Sequence, residues 1–151
     1  MLKSFLFGVF TLLSIGTTVA QTASSGSRYP VSYPNRQIQV GEGGGFTGST
    51  RTYCLLENGL LFVKSDTDSL YKPLDQKPAT TTRRLFRQLE KTCRIQTTRF
   101  NHPGNLYQFV RWQKGKTEYT VTWGDRTQPA PACFVQFYKT FMAQIPPNKR
   151  S

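Results

Sequence analysis

Residues 51–56 and 60–64 are two apolar runs separated only by Glu57-Asn58-Gly59, and no other short pattern narrows the fold of this chain more. Asn-Gly supplies the positive-φ residues that a tight hairpin turn demands, so the runs are read as antiparallel neighbours in a sheet. A two-residue turn on Asn58-Gly59 places Cys54, Leu56, Leu61 and Val63 on one face, with Tyr53, Leu55 and Phe62 on the other. Both faces are apolar, so both are expected to be covered.

A second hairpin is expected from residues 106–113 and 117–124 around Lys114-Gly115-Lys116. Either two-residue turn gives the same parity, so Val110, Trp112, Tyr119, Val121 and Trp123 share the core face. The opposite face carries Tyr107, Phe109, Arg111, Thr120 and Thr122, either a second packed layer or an exposed aromatic and cationic platform. Upstream, residues 37–40 alternate like a strand before the glycine cluster at 41–48, and residues 70–74 suggest an edge strand limited by Pro73.

After Pro78 the apolar period changes from two to that of a helix. Leu85, Phe86, Leu89 and Cys93 predict a helix over residues 81–94, with the threonines at 80–82 as its N-cap. Arg83, Arg84, Arg87, Lys91 and Arg94 fall on its outer side as a basic ridge, with Glu90 the only acid among them. Residues 100–105 read as a type II turn. Phe134, Phe137, Tyr138, Phe141, Met142 and Ile145 then form an amphipathic stripe, with Pro131 in the first turn and Pro146-Pro147 as the stop. The expected fold class is α+β: a single domain whose antiparallel sheet is built from two β-hairpins, with two amphipathic helices, in the order ββ(β)αββα.

Residues 1–20 carry the marks of an export signal: Lys3 as the positive n-region, an apolar run of 11 residues at 5–15, and small residues before Ala20. The run is too short to cross a bilayer, which takes roughly 20 residues. Cleavage is expected between Ala20 and Gln21. Residues 21–36, rich in Ser and Pro, read as a flexible N-terminal arm, and residues 37–149 as one domain. The mature chain is expected to be secreted or periplasmic. No cysteine follows the cleavage site to carry a lipid.

Twenty Lys and Arg against eight Asp and Glu give a formal charge of +12, which favours anionic partners. Outside the cytoplasm these would be lipopolysaccharide or acidic glycans rather than nucleic acid. Eight carboxylates and a single histidine, His102, are a small stock for hydrolytic chemistry. Cys54, Cys93 and Cys133 form no C-x-x-C pair, and no metal or cofactor is expected. In an oxidising compartment three cysteines make one disulfide and one thiol. Cys93 closes the first helix and Cys133 opens the second, which favours that pair. Gly43-x-Gly45-x-x-Gly48 has the letters of a dinucleotide fingerprint, but a strand follows where a helix is required. It is read as a backbone requirement, or as a loop whose free N–H groups contact a ligand. His102 and Asp125 with one cysteine are the candidate residues of an alternative, enzymatic reading, although each also suits a turn.

The segments Gly-Gly-Gly-Phe-Thr-Gly (43–48), Glu-Asn-Gly (57–59), Phe-Asn-His-Pro-Gly-Asn (100–105), Trp-Gly-Asp (123–125) and Phe137-Tyr138 through Ile145-Pro146 together resemble small exported proteins of unknown function from Bacteroidota, over residues 37–149. The resemblance implies export and a one-domain architecture and assigns no functional residue. The expected function is a secreted or periplasmic binding module for an anionic or protein partner. It would act through the ridge or through the loops around Gly43, Gly45, Gly48, His102 and Asp125. The alternatives are a small enzyme and an envelope structural or inhibitor-like protein.

Overall fold

In the computed structural model, residues 30–150 are described. The expected signal segment, residues 1–20, and the arm up to residue 29 lie outside them. The fold is α+β, with seven strands in one sheet and two helices. In chain order the strands are β1 (Arg36–Gly44), β2 (Thr50–Leu56), β3 (Leu60–Ser65), β4 (Lys72–Gln76), β5 (Phe100–His102), β6 (Leu106–Lys114) and β7 (Thr117–Trp123). The helices are α1 (Ala79–Arg87), continued by a π-turn at Gln88–Thr92, and α2 (Ala132–Met142). The sheet is thus larger than two hairpins. Its order is β4-β3-β2-β1-β6-β7-β5, antiparallel except for β5 against β7.

Strand β1 is the seam of the sheet. It pairs with β2 on one edge, Val40 opposite Tyr53, and with β6 on the other, Val40 opposite Val110. Ile38, Val40, Tyr53, Leu55, Leu61, Val110, Trp112, Val121 and Trp123 belong to one core, closed by Leu85, Phe86 and Leu89 and by Phe134, Phe137 and Phe141 of α2. Both helices therefore lie on one face.

The first hairpin corrects the expected faces. Leu55 pairs with Leu61 and Tyr53 with Val63, so the connection has three residues, Glu57, Asn58 and Gly59, rather than two. The Gly59 N–H donates to the Leu56 carbonyl at 2.9 Å, and Gly59 sits at φ 91°, closing a type I turn with a residue only glycine fills cheaply. One extra loop residue reverses the parity. Tyr53, Leu55 and Leu61 face the helices, while Cys54, Leu56 and Phe62 form a second cluster with Tyr33 on the opposite face. Tyr33 is thereby packed down although it falls in the expected arm, and Arg36 already belongs to β1.

Three further boundaries differ. The first helix is capped by Pro78 without a side-chain bond, and the Thr82 hydroxyl donates back to the Pro78 carbonyl at 3.1 Å instead of capping. Its regular part stops at Arg87, and the chain leaves through Arg94 at φ 52°. Residues 100–102, expected in a turn, form the edge strand β5. At the other edge Pro73 coincides with a register shift opposite Leu61 and Phe62.

Candidate functional site

The sequence-predicted residues separate into two groups at opposite ends of β1. Eight residue rises from Arg36 to Gly44 span about 26 Å.

At one end lies the basic ridge. Arg83, Arg84, Arg87, Lys91 and Arg94 are all exposed. Glu90 is the one acid in their midst, and it points away from them. Its carboxylate accepts from the Trp112 indole N–H at 2.8 Å and from the Arg36 guanidinium at 3.0 Å, with its side chain only 13% exposed. Arg36 is also paired to Glu57 and lies 5.1 Å from the Phe86 ring centroid. Its hydrogen bond holds the Glu57 carboxyl below the usual range, and Glu57 in turn raises Arg36. The remaining ion pairs of described residues are Lys72 with Asp68, Lys77 with Asp75 and Arg111 with Glu118. Among the described residues, none of the five ridge cations has an acidic partner. Arg84 and Arg87 sit in the last turn of α1, where the helix dipole favours positive charge.

At the other end the loop candidates gather. Gly43 pairs with both Tyr107 and Thr50, and Gly44 ends the strand opposite Leu106. Gly45 donates to the Asn105 carbonyl at 2.7 Å, Gly44 to Ser49 at 3.1 Å and Gly48 to Gly45 at 3.1 Å. These amides are already engaged within the protein, which favours the backbone role of the glycine cluster over an anion cradle. Asp125 and His102 are neighbours through the backbone, the Asp125 N–H donating to the His102 carbonyl at 3.0 Å. The Asp125 carboxylate accepts from the Thr127 N–H and hydroxyl, each at 2.8 Å, and these bonds lower its pKa. It is a turn-forming aspartate.

No cysteine is placed to serve this pair as a nucleophile. Cys93 and Cys133 are joined in a disulfide, as their positions at the two helix ends suggested. Cys54 is buried on the sheet, its thiol donates to Gln37 Oε1 at 3.1 Å, and burial pushes its pKa up, away from the thiolate. Among the described residues no three His, Cys, Asp or Glu side chains converge as a metal site, and no helix is long and apolar enough to cross a membrane.

Between the two ends, the face of the sheet turned away from the helices holds a groove of about 490 Å³. Sequence reasoning had named part of it, Tyr107, Phe109, Arg111, Thr120 and Thr122. It missed Gln39, Thr50, Thr52, Lys64 and Tyr71, which come from strands and a loop whose pairing no local pattern reveals. Glycine makes the floor. A Cβ on Gly41 would stand 2.6 Å from the Phe109 ring, and one on Gly43 would stand 2.7 Å from the Tyr107 hydroxyl. The two rings therefore lie down across β1. The Arg111 guanidinium is 5.7 Å from the Phe109 centroid and the Lys64 ammonium 5.7 Å from that of Tyr71. Burial pushes the Tyr71 phenol up to about 12.

No protein-family model matches the chain, and no curated protein is similar to it in sequence.

Proposed function

We propose that the chain is an exported binding module, directed out of the cytoplasm by residues 1–20, that engages an acidic partner through the ridge running from α1 over its π-turn to Arg94. The observation that carries this reading is the inward turn of Glu90, which leaves Arg83, Arg84, Arg87, Lys91 and Arg94 exposed and without counter-charge. A stripe of uncompensated cations on a protein of net charge +12 raises the local concentration of polyanions and speeds their association. Acidic glycans and lipopolysaccharide are the polyanions met outside the cytoplasm. Docking there requires no catalytic group.

The test is retention on heparin and on immobilised lipopolysaccharide over a salt series. Wild type is compared with a variant carrying Arg83→Gln, Arg84→Gln, Arg87→Gln and Lys91→Gln, which keeps helix propensity while removing four charges. The variant is expected to elute at lower salt from both. A control variant with Lys116→Gln, Arg126→Gln, Lys139→Gln and Lys149→Gln removes the same four charges elsewhere. If it elutes as early as the ridge variant, net charge and not the ridge governs retention, and the reading fails.

A further inference from the structure

We infer that the groove on the open face of the sheet is a second binding site, and that its ligand is a neutral oligosaccharide of two to three pyranose units. Three observations carry this, none of them shared with the ridge.

The first is charge. On a chain of net charge +12, the groove is balanced, with Lys64 and Arg111 set against Asp66 and Asp68 in its lining. Asp68 is paired with Lys72, and Asp66 accepts from the Thr50 N–H. A polyanion gains nothing from such a lining that the ridge does not offer more strongly. A neutral, hydrogen-bonding ligand meets no repulsion.

The second is the set of free hydroxyls. Thr50, Thr52, Thr122 and Tyr107 are half-buried around the groove, and among the described residues their hydroxyls have no hydrogen-bond partner. A hydroxyl both donates and accepts, as each sugar hydroxyl does. Arg111, by contrast, is held in place by Thr120 at 3.2 Å, by Gln39 at 3.5 Å and by Glu118. Fixed charged donors beside adaptable hydroxyls are what an orienting polar set in a ligand site requires.

The third is the shape of the floor. Lys64, Thr52, Gly41, Phe109 and Thr122 form one row across the sheet, because Thr52 pairs with Lys64 and Gly41, and Phe109 pairs with Gly41 and Thr122. Thr52 and Thr122 are three strand spacings apart, about 14 Å, the reach of two to three linked pyranoses. Between them Gly41 contributes no side chain, and Phe109 and Tyr107 lie low. The result is a shallow strip, floored by Gly41, the buried Phe109 ring and the half-buried Tyr107 ring, between two hydroxyl rims. A pyranose ring, with C–H groups on its faces and hydroxyls at its edge, is complementary to that section.

The test is a titration with cellotetraose, maltotetraose and chitotetraose, followed by amide chemical-shift mapping and calorimetry, with a heparin tetrasaccharide as the anionic comparison. Thr52→Val with Thr122→Val removes the two rim hydroxyls at nearly constant volume, and Tyr107→Phe removes a third, so neither variant should disturb the strands. At least one neutral tetraose is expected to saturate the protein, moving amides of β1, β2, β6 and β7. The double valine variant is expected to bind it about tenfold more weakly, as for two lost hydrogen bonds. Four Gln substitutions on the ridge are expected to leave this binding unchanged. The inference is overturned if no neutral tetraose binds saturably, if the Thr52, Thr122 and Tyr107 variants bind as wild type does, or if the heparin tetrasaccharide shifts the groove amides at lower concentration than the neutral ligands.

Discussion

The carboxylate of Glu90 accepts a 2.8 Å hydrogen bond from the indole N–H of Trp112, across the junction between α1 and the sheet. The same carboxylate receives Arg36, so one acid satisfies a core tryptophan and anchors the first strand. Its cost is borne by the surface it leaves. Glu90→Ala is expected to destabilise the protein by about 2 kcal/mol, since a hydrogen-bonded charge is lost beside groups that stay half-buried. Arg87→Gln, on the same helix but unpaired, is expected to change stability by less than about 0.5 kcal/mol. Urea unfolding of the two variants checks both values.

The Glu57 carboxyl is held below its ordinary value of 4.5 by the Arg36 hydrogen bond. The folded protein then binds fewer protons than the unfolded chain over that window, so the contribution is complete above pH about 4.5 and is lost as pH falls through the folded value. Glu57→Gln is expected to flatten the acid limb of the stability curve and to leave its shape above pH 6 unaltered. Denaturant midpoints measured from pH 7 to pH 2 decide this. An acid limb as steep as wild type would show that other groups govern it.

Cys54 is buried and its thiol is raised by burial, whereas Cys93 and Cys133 are bonded to each other. Iodoacetamide at pH 8 is expected to leave the native protein unlabelled, to add one group in guanidinium chloride, and to add three after reduction. Mass spectrometry counts them directly. Replacing both Cys93 and Cys133 by Ala releases a loop closed over 40 residues and is expected to cost about 4 kcal/mol.

Arg94 occupies the left-handed region at φ 52°, where the helix ends with Ile95 N–H bonded to the Leu89 carbonyl at 3.2 Å. Both Ile95 and Leu89 are buried, so the arrangement is a helix stop of the kind that glycine usually fills. Arg94→Gly is expected to raise stability by up to about 1 kcal/mol by removing the Cβ strain. A lower thermal midpoint would mean that the Arg94 side chain contributes more than its backbone costs.

Much of this architecture was legible locally. Phe134, Phe137, Tyr138 and Phe141 are buried where the helical period placed them, although α2 stops at Met142, short of the expected Pro146-Pro147 stop, and Ile145 is buried beyond its end. Cys93 meets Cys133 because each stands at a helix end. The parity of β6 and β7 held because both plausible turns gave the same answer, Val110 opposite Val121. The first hairpin failed for the complementary reason. Asn58-Gly59 permits a two- or a three-residue connection, and a difference of one residue moves Cys54 and Leu56 across the sheet. The pairing of β1 with β6 leaves no local trace, since it joins residues some 70 positions apart through the sheet that both complete. For the same reason Thr52 and Thr122 were not recognisable as opposite rims of one groove, whereas Arg83, Arg84, Arg87, Lys91 and Arg94 follow one another along a single short segment, from α1 through its π-turn to the left-handed stop.

The central place of β1 also has a consequence in time. Its partner β6 starts at Leu106, so a chain emerging from its N-terminus presents Arg36–Gly44 long before the second edge of that strand can be satisfied. Until then the edge of β1 that β6 covers in the finished sheet has no partner strand, and Ile38 and Val40, fully buried in the end, lack the second half of their core. Closing the seam is a non-local event, and such events are slow and expose the chain to wrong partners. Glycine at 41 and 43 makes that waiting flank a poor template for another strand.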